Sequence, residues 1–249
     1  MKPLIQYAWN RYSQNGEDGI LEELCRRLQI GPGWSVEFGA WDGKNLSNTF
    51  NLLQHAGWSA VDIEADERRY QDLLTTKKQF PDRLHAICAM VGEEGENRLD
   101  RLLQKTPIPR DFDLLSIDID SVDWQVWKAV VDYRPKIVVI ESNNQLPPGV
   151  KQLHAPPKHH GASFSSLVEL GKNKGYGLVC HTGNCIFVAN ELIAKSGVSN
   201  EVLEHPEVLF HHGKYRRERI LGWGRKILPR KIMNIIFMTS AKLKDFRRR

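Results

Sequence analysis

The sequence predicts a doubly wound α/β domain, a mostly parallel sheet with helices on both faces and one antiparallel edge strand. Three observations carry that expectation. Short apolar runs of strand length alternate with amphipathic stretches of helical spacing through the first four-fifths of the 249 residues. The run Lys136-Ile137-Val138-Val139-Ile140-Glu141 is solidly apolar inside its charged ends, as expected of a strand covered on both faces. Two further apolar runs, 177–180 and 185–188, flank Thr182-Gly183-Asn184, which reads as an antiparallel pair closing the sheet.

The elements follow in order. Ile20, Leu21, Leu24, Cys25 and Leu28 recur at helical spacing and predict a helix over 15–28. A first strand at 35–38 ends in Glu37-Phe38 and runs into the turn Gly39-Ala40-Trp41-Asp42-Gly43, with a helix expected from Ser47-Asn48. A second strand at 59–63 is closed by Glu64 and followed by a helix over 68–77. Strands at 85–91 and 113–120, helices at 97–104 and 124–132, and the strand at 136–141 complete the alternation. A loop at 142–161, with four prolines and three histidines, precedes a helix at 163–174.

At 41% hydrophobic content the chain has the composition of a globular enzyme-sized domain, and no stretch approaches the roughly 20 apolar residues of a membrane span. Met1-Lys2-Pro3-Leu4-Ile5-Gln6 lacks the apolar core of a signal peptide, so a cytoplasmic location is expected. Cys25, Cys88, Cys180 and Cys185 form no C-x-x-C pair and read as reduced core thiols. Charge divides the chain in two. Residues 205–249 hold thirteen Lys and Arg against Glu207, Glu218 and Asp245, so 1–204 is five charges negative although the whole is +5. The expected organisation is a catalytic domain at 1–204 and a basic amphipathic tail at 205–249. The tail's Ile232, Ile235, Ile236, Leu243 and Phe246 approximate one helical face, suited to an anionic membrane surface or a partner, whereas nucleic acid is not expected.

The two acidic strand ends carry the chemistry. A strand, a glycine-bearing turn, a helix and a second strand ending in a carboxylate form the grammar of a mononucleotide-binding unit. The turn has Gly39 and Gly43 but not the three glycines that cradle a pyrophosphate, which counts against a nicotinamide dehydrogenase. A turn bearing Glu37, Trp41 and Asp42 repels a pyrophosphate and suits a ligand with a cationic centre and an amino group, of which S-adenosylmethionine (SAM) is one. Glu64 is the acceptor for a ribose edge, because a carboxylate takes both hydroxyls. Asp118, Asp120 and Glu141 fall at the same edge of the sheet. Asp62, inside its strand, has no assigned role, and Asp123 reads as the N-cap of the following helix.

With these residues assembled, the chain resembles the FkbM-like SAM-dependent methyltransferases over residues 11–190. The resemblance rests on Ser13-Gln14-Asn15-Gly16-Glu17-Asp18, on Val36-Glu37-Phe38-Gly39-Ala40-Trp41-Asp42-Gly43, and on Gly57-Trp58 through Glu64-Ala65-Asp66. It continues in Ser116-Ile117-Asp118-Ile119-Asp120, Val138-Val139-Ile140-Glu141, Gly161-Ala162-Ser163 and Lys174-Gly175-Tyr176. The chain departs from the pattern at Ser121-Val122, where a glycine is expected after Asp120. The resemblance implies a class I methyltransferase fold. It places Glu37, Gly39 and Ala40 along the methionine part of SAM, Glu64 on the ribose, Cys88 or Ala89 near adenine, Asp118 beside the sulfonium, and Gln14 over the pocket.

Methyl transfer needs an aligned nucleophile and a destination for its proton. Two routes fit the sequence. A divalent cation such as magnesium or manganese could sit among Asp118, Asp120, Glu141 and Asn143, an all-oxygen set. Alternatively His159 or His160, in the long loop, serves as base. The expected reaction is methylation of a hydroxyl, or an amine, on a small polar or anionic acceptor, sugar- or nucleotide-linked. The rival expectation from another class is an inactive methyltransferase-like binding protein attached to anionic membrane or nucleic acid through its tail.

Overall fold

Seven strands form one sheet in the order β3-β2-β1-β4-β5-β7-β6. The computed structural model describes residues 1–119, 122–153 and 161–211, all within one unit, Met1–His212. Strands β1 (Trp34–Phe38), β2 (Ser59–Glu64), β3 (Leu84–Cys88), β4 (Leu114–Ile117) and β5 (Ile137–Glu141) are mutually parallel. β7 (Asn184–Ala189) inserts antiparallel beside β5, and β6 (Tyr176–His181) pairs with it at the edge. The predicted architecture, including its antiparallel edge, is the one observed.

Helix α1 (Glu17–Leu28) packs Ile20, Leu21 and Leu24 with Ile137, Val139 and Ile186 on one face of the sheet. On the same side α2 (Phe50–His55) and α3 (Glu67–Lys77) bury Phe50, Leu53 and Leu73 with Ala60 and Leu84. The other face carries α4 (Leu99–Leu103), α5 (Asp123–Ala129) and α6 (Phe164–Asn173), packed through Leu103, Trp127 and Leu167 on Val36, Leu115, Val138 and Phe187. A Cβ at Gly171 would lie 2.6 Å from the Phe187 ring, so the glycine lets α6 lie close on β7. Short helices α7 (Ile193–Ser196) and α8 (Asn200–Glu204) follow β7.

Among the boundaries that differ from the sequence reading, three have a clear local reason. α2 begins at Phe50 because Ser47, Asn48 and Thr49 are drawn out of helical pairing toward Glu37. β3 ends at Cys88, since its last partner is Glu64. β4 ends at Ile117, leaving Asp118 just beyond the strand. Asp123 is the first residue of α5 rather than its cap. Its buried Oδ1 accepts from the Ile119 amide at 2.9 Å and closes the loop behind it. Of the four free thiols, Cys88 is exposed on the edge strand, while Cys25, Cys180 and Cys185 are core residues as expected. Burial pushes the thiols of Cys25 and Cys180 up to about 12, which keeps them protonated.

The chain from 205 to 211 packs on the domain. His181, fully buried, stacks on Phe210 at 5.1 Å, and its Nδ1 accepts from the His211 amide at 2.9 Å. Ser142 Oγ gives its one proton to the Gly183 carbonyl, so it accepts from Nε2–H of His181. Residues 212–249, which hold most of the basic tail, lie outside the described residues. No helix among the described residues is long and apolar enough to cross a membrane.

Candidate active site

Strand order reverses between β1 and β4, and a cleft of about 560 Å³ opens there, outside the carboxyl ends of the parallel strands. β1 and its turn contribute Glu37, Gly39, Ala40 and Trp41, and the loop beyond adds Asn45 and Leu46. Glu64 comes from the end of β2, Arg69 from α3, and Ala89, Met90 and Val91 from the segment after β3. Asp118 and Ile119 follow β4, Glu141 ends β5, and Gln14 closes the N-terminal side.

The cleft is shaped by a glycine. Gly39 has φ 76°, and a Cβ there would lie 2.2 Å from the Asp118 carbonyl oxygen, so only glycine lets the β1 turn close against the end of β4. The amides of Gly39 and Ala40 both donate to the Ile63 carbonyl, tying the turn to β2. Asp42, expected to face the ligand, instead closes its own turn. Its Oδ1 accepts from the amides of Lys44 and Asn45, and Oδ2 accepts from the Asn45 side chain.

Glu37 and Glu64 are each 4% exposed but are bonded differently. Glu37 Oε1 accepts from the Asn48 amide and Ser116 Oγ, both at 2.9 Å, and Oε2 accepts from Ser47 Oγ and Thr49 Oγ1. A carboxylate has about four acceptor positions, and here the protein fills them. Glu37 thus borders the cleft as an anchor of the turn. Glu64 Oε2 accepts from the Trp41 amide at 2.7 Å, and Oε1 from the Asp66 amide at 2.8 Å. Each oxygen keeps a second acceptor position, so the carboxylate is fixed by backbone and still able to take two hydroxyls.

Asp62 pairs in register with Glu37 across β1 and β2 and is 1% exposed, with no partner for Oδ1. Burial, reinforced by the negative charge of Glu37, raises its pKa well above the usual carboxylate range.

The N-terminal wall is held from a distance. Asp18 Oδ2 accepts from the amides of Arg11, Tyr12 and Ser13 and from Ser13 Oγ. Glu17, fully buried, accepts from Asn15 N–H, Thr182 Oγ1 and Asn184 Nδ2. Thr182 and Asn184 belong to the hairpin between β6 and β7, so the loop carrying Gln14 is clamped between α1 and that hairpin. The acidic pair in the lead-in motif has this clamp as its physical content. No local signal points to Thr182 and Asn184 as partners of Glu17, or to Ser116 as a partner of Glu37.

Of the predicted site residues, Gln14, Glu37, Gly39, Ala40, Glu64, Ala89, Asp118 and Glu141 border one cleft. Cys88 does not. The strand pleat and its edge position turn it toward a separate depression beside His85 and Lys105, leaving Ala89 at the cleft. Asn143 does not line the cleft either, and its Oδ1 accepts from the Gln145 amide. Asp120, His159 and His160 lie outside the described residues. Among the described residues no group of three or more His, Cys, Asp or Glu comes together as a metal site. Among those same residues, the acids bordering the cleft outnumber Arg69, so the cleft favours a ligand carrying positive charge.

No family model and no curated protein matches the chain. Solved structures similar to it include the N-terminal domain of EvdMO1 crystallised in the presence of S-adenosylhomocysteine (SAH) and D-fucose, at 13% identity and TM-score 0.45, covering 74% of this chain and 91% of that one. Another is a SAM-dependent methyltransferase from Clostridium acetobutylicum, at 11% identity and TM-score 0.47, covering 70% and 90%. A third is TYW2 of M. jannaschii in complex with AdoMet, at 13% identity and TM-score 0.39, covering 72% and 74%. With these identities and TM-scores, the functional reading rests on the cleft itself.

Proposed function

We propose that the chain is a SAM-dependent methyltransferase, of the FkbM-like kind its motifs resemble, that methylates a hydroxyl or amine of a polar acceptor. The observation that carries this reading is Glu64, a buried carboxylate held by two backbone amides with one acceptor position left on each oxygen. That is what a ribose edge requires. Gly39, whose missing Cβ lets the β1 turn close against the Asp118 carbonyl, shapes the cleft wall along which the methionine portion would lie. Bound there, SAM supplies a methyl group on a sulfonium, whose carbon–sulfur bond breaks as the acceptor's bond to carbon forms.

The chain's own residues align and move a proton. Glu64 orients the ribose, Ala89 and Val91 border the adenine end, and Gln14 covers the opening. Asp118, just past β4, places negative charge beside the sulfonium. Ile117 pairs with Ile140, so Asp118 and Glu141 follow on adjacent strands at the acceptor side. Holding both partners in line contributes roughly 7–11 kcal/mol of the barrier. The acceptor's proton leaves to a carboxylate of this pair or to His159 or His160, the second route read from the sequence.

The test is calorimetric titration with SAH, followed by transfer of labelled methyl from SAM to candidate acceptors. Micromolar SAH binding with no affinity for NAD supports the reading. Failure to bind SAH would overturn it.

A further inference from the structure

Among the described residues nine large apolar side chains are exposed, and three of them, Trp41, Leu46 and Met90, stand on this one cleft. Two carry a second mark. Outside glycine only Gln29, Trp41 and Leu46 have positive φ among the described residues, at 59°, 50° and 63°. Gln29 is a helix C-cap, where the left-handed conformation is ordinary. Trp41 and Leu46 are central residues of the hydrogen-bonded turns 40–43 and 44–47, positions where glycine or asparagine is the usual occupant of a positive φ. A bulky side chain held in that region costs free energy and clusters at functional sites. Here the strained backbone turns both side chains outward at 39% and 50% exposure, when burying them would stabilise the fold.

The Trp41 ring is also held in place. Its amide is bonded to Glu64, and the Arg69 guanidinium lies over the ring at 5.1 Å. Depth separates this rim from the cofactor contacts. Glu37 and Glu64 are 4% exposed at the floor, whereas Met90 is 72% exposed at the mouth. A ligand confined to the floor leaves such a rim wet, while a larger one covers it.

We infer that Trp41, Leu46 and Met90 form an apolar lip that seats the body of an amphipathic acceptor, whose polar group reaches inward to the Asp118 and Glu141 side of the cleft. The occupant is a single small molecule with an alkyl or aromatic face next to the methylated group. A free sugar, without an alkyl or aryl substituent, lacks that face. This inference rests on the methyltransferase reading and narrows its substrate class.

The experiment uses the full chain loaded with SAH and two probes, octyl β-glucoside below its micelle concentration and methyl β-glucoside. Binding is followed by saturation-transfer NMR and calorimetry. The octyl compound is expected to bind at least tenfold more tightly than the methyl compound. Trp41→Ala and Leu46→Gly are expected to remove that difference, and Leu46→Gly to do so while changing SAH affinity less than threefold. Leu46→Gly, which relieves the strained φ, is expected to raise the melting temperature while weakening the octyl probe. A structural role alone would not produce that combination. Equal binding of the two probes, or a loss of SAH affinity in Leu46→Gly matching its loss of probe binding, would overturn the lip and leave the methyltransferase reading standing. Failure of the unaltered protein to bind SAH would overturn both.

Discussion

The carboxylates that end β1 and β2 look equivalent in sequence and sit at the same edge of the same sheet, yet they are built for different work. Glu37 is surrounded by three hydroxyls and an amide that saturate it, and Glu64 receives one amide on each oxygen and stops there. Asp62, in register with Glu37 and two residues before Glu64, shows a third condition, with Oδ1 buried and unpartnered. Counting donors around a buried carboxylate therefore separates a saturated anchor, a carboxylate with acceptor positions to spare and a stored strain more sharply than position does.

The largest expected effect tests the anchor. Glu37→Ala leaves the buried hydroxyls of Ser47, Thr49 and Ser116 and the Asn48 amide without their acceptor, which should cost about 3–5 kcal/mol of stability. Urea unfolding measures it, and a loss under about 1 kcal/mol would mean that Glu37 is not the anchor described. Glu64→Ala should cost the fold less, because the amides it frees belong to Trp41, on the open cleft, and to the exposed Asp66, while weakening SAH by about 1.5–3 kcal/mol, or 10–150-fold. Calorimetry decides, and unchanged affinity removes Glu64 from the ribose.

Asp62→Asn probes the third condition. A folded-state pKa raised above the unfolded one means that Asp62 favours the folded state only where it is protonated, and that this contribution is lost as pH rises through the folded pKa. The substitution should therefore gain stability relative to the natural chain at pH 8 and gain less, or lose, at pH 4. The gain should be roughly 1.4 kcal/mol for every tenfold difference in proton affinity between the folded and unfolded chains. Parallel pH profiles for the two proteins would show that Asp62 does not titrate this way. The smallest effect on the cleft is expected from removing residues 214–249, which should leave SAH affinity within twofold while weakening adhesion to anionic vesicles. A truncated chain that fails to bind SAH would tie the basic tail to the fold.

The contrast between Glu37 and Glu64 also marks how much is legible in the sequence. Alternating apolar runs give the element order, because buried parallel strands must be apolar and crossover helices must be amphipathic, and both patterns are local. The acid at the end of β2 is legible as part of a strand-end pattern, and its Asp66 amide partner is local, whereas its Trp41 partner lies 23 residues away in the β1 turn. The saturation of Glu37 is not legible, because Ser116 comes from β4, 79 residues away. Cys88 reads as a core thiol and is exposed, because apolar patterning does not say which strand lies at an edge. Asp123 sits where a cap belongs, but its carboxylate turns back to Ile119, a loop geometry with no sequence signature.

The clamp on the N-terminal wall has a consequence for how the cleft comes into being. Glu17 leaves the ribosome early, but Thr182 and Asn184, which fix it, are separated from it by 165 and 167 residues. The strands that floor the cleft can be in place while the loop bearing Gln14 still lacks its fastening. A nascent chain ending before β7 would present the floor of the cleft without the fastening of its N-terminal wall.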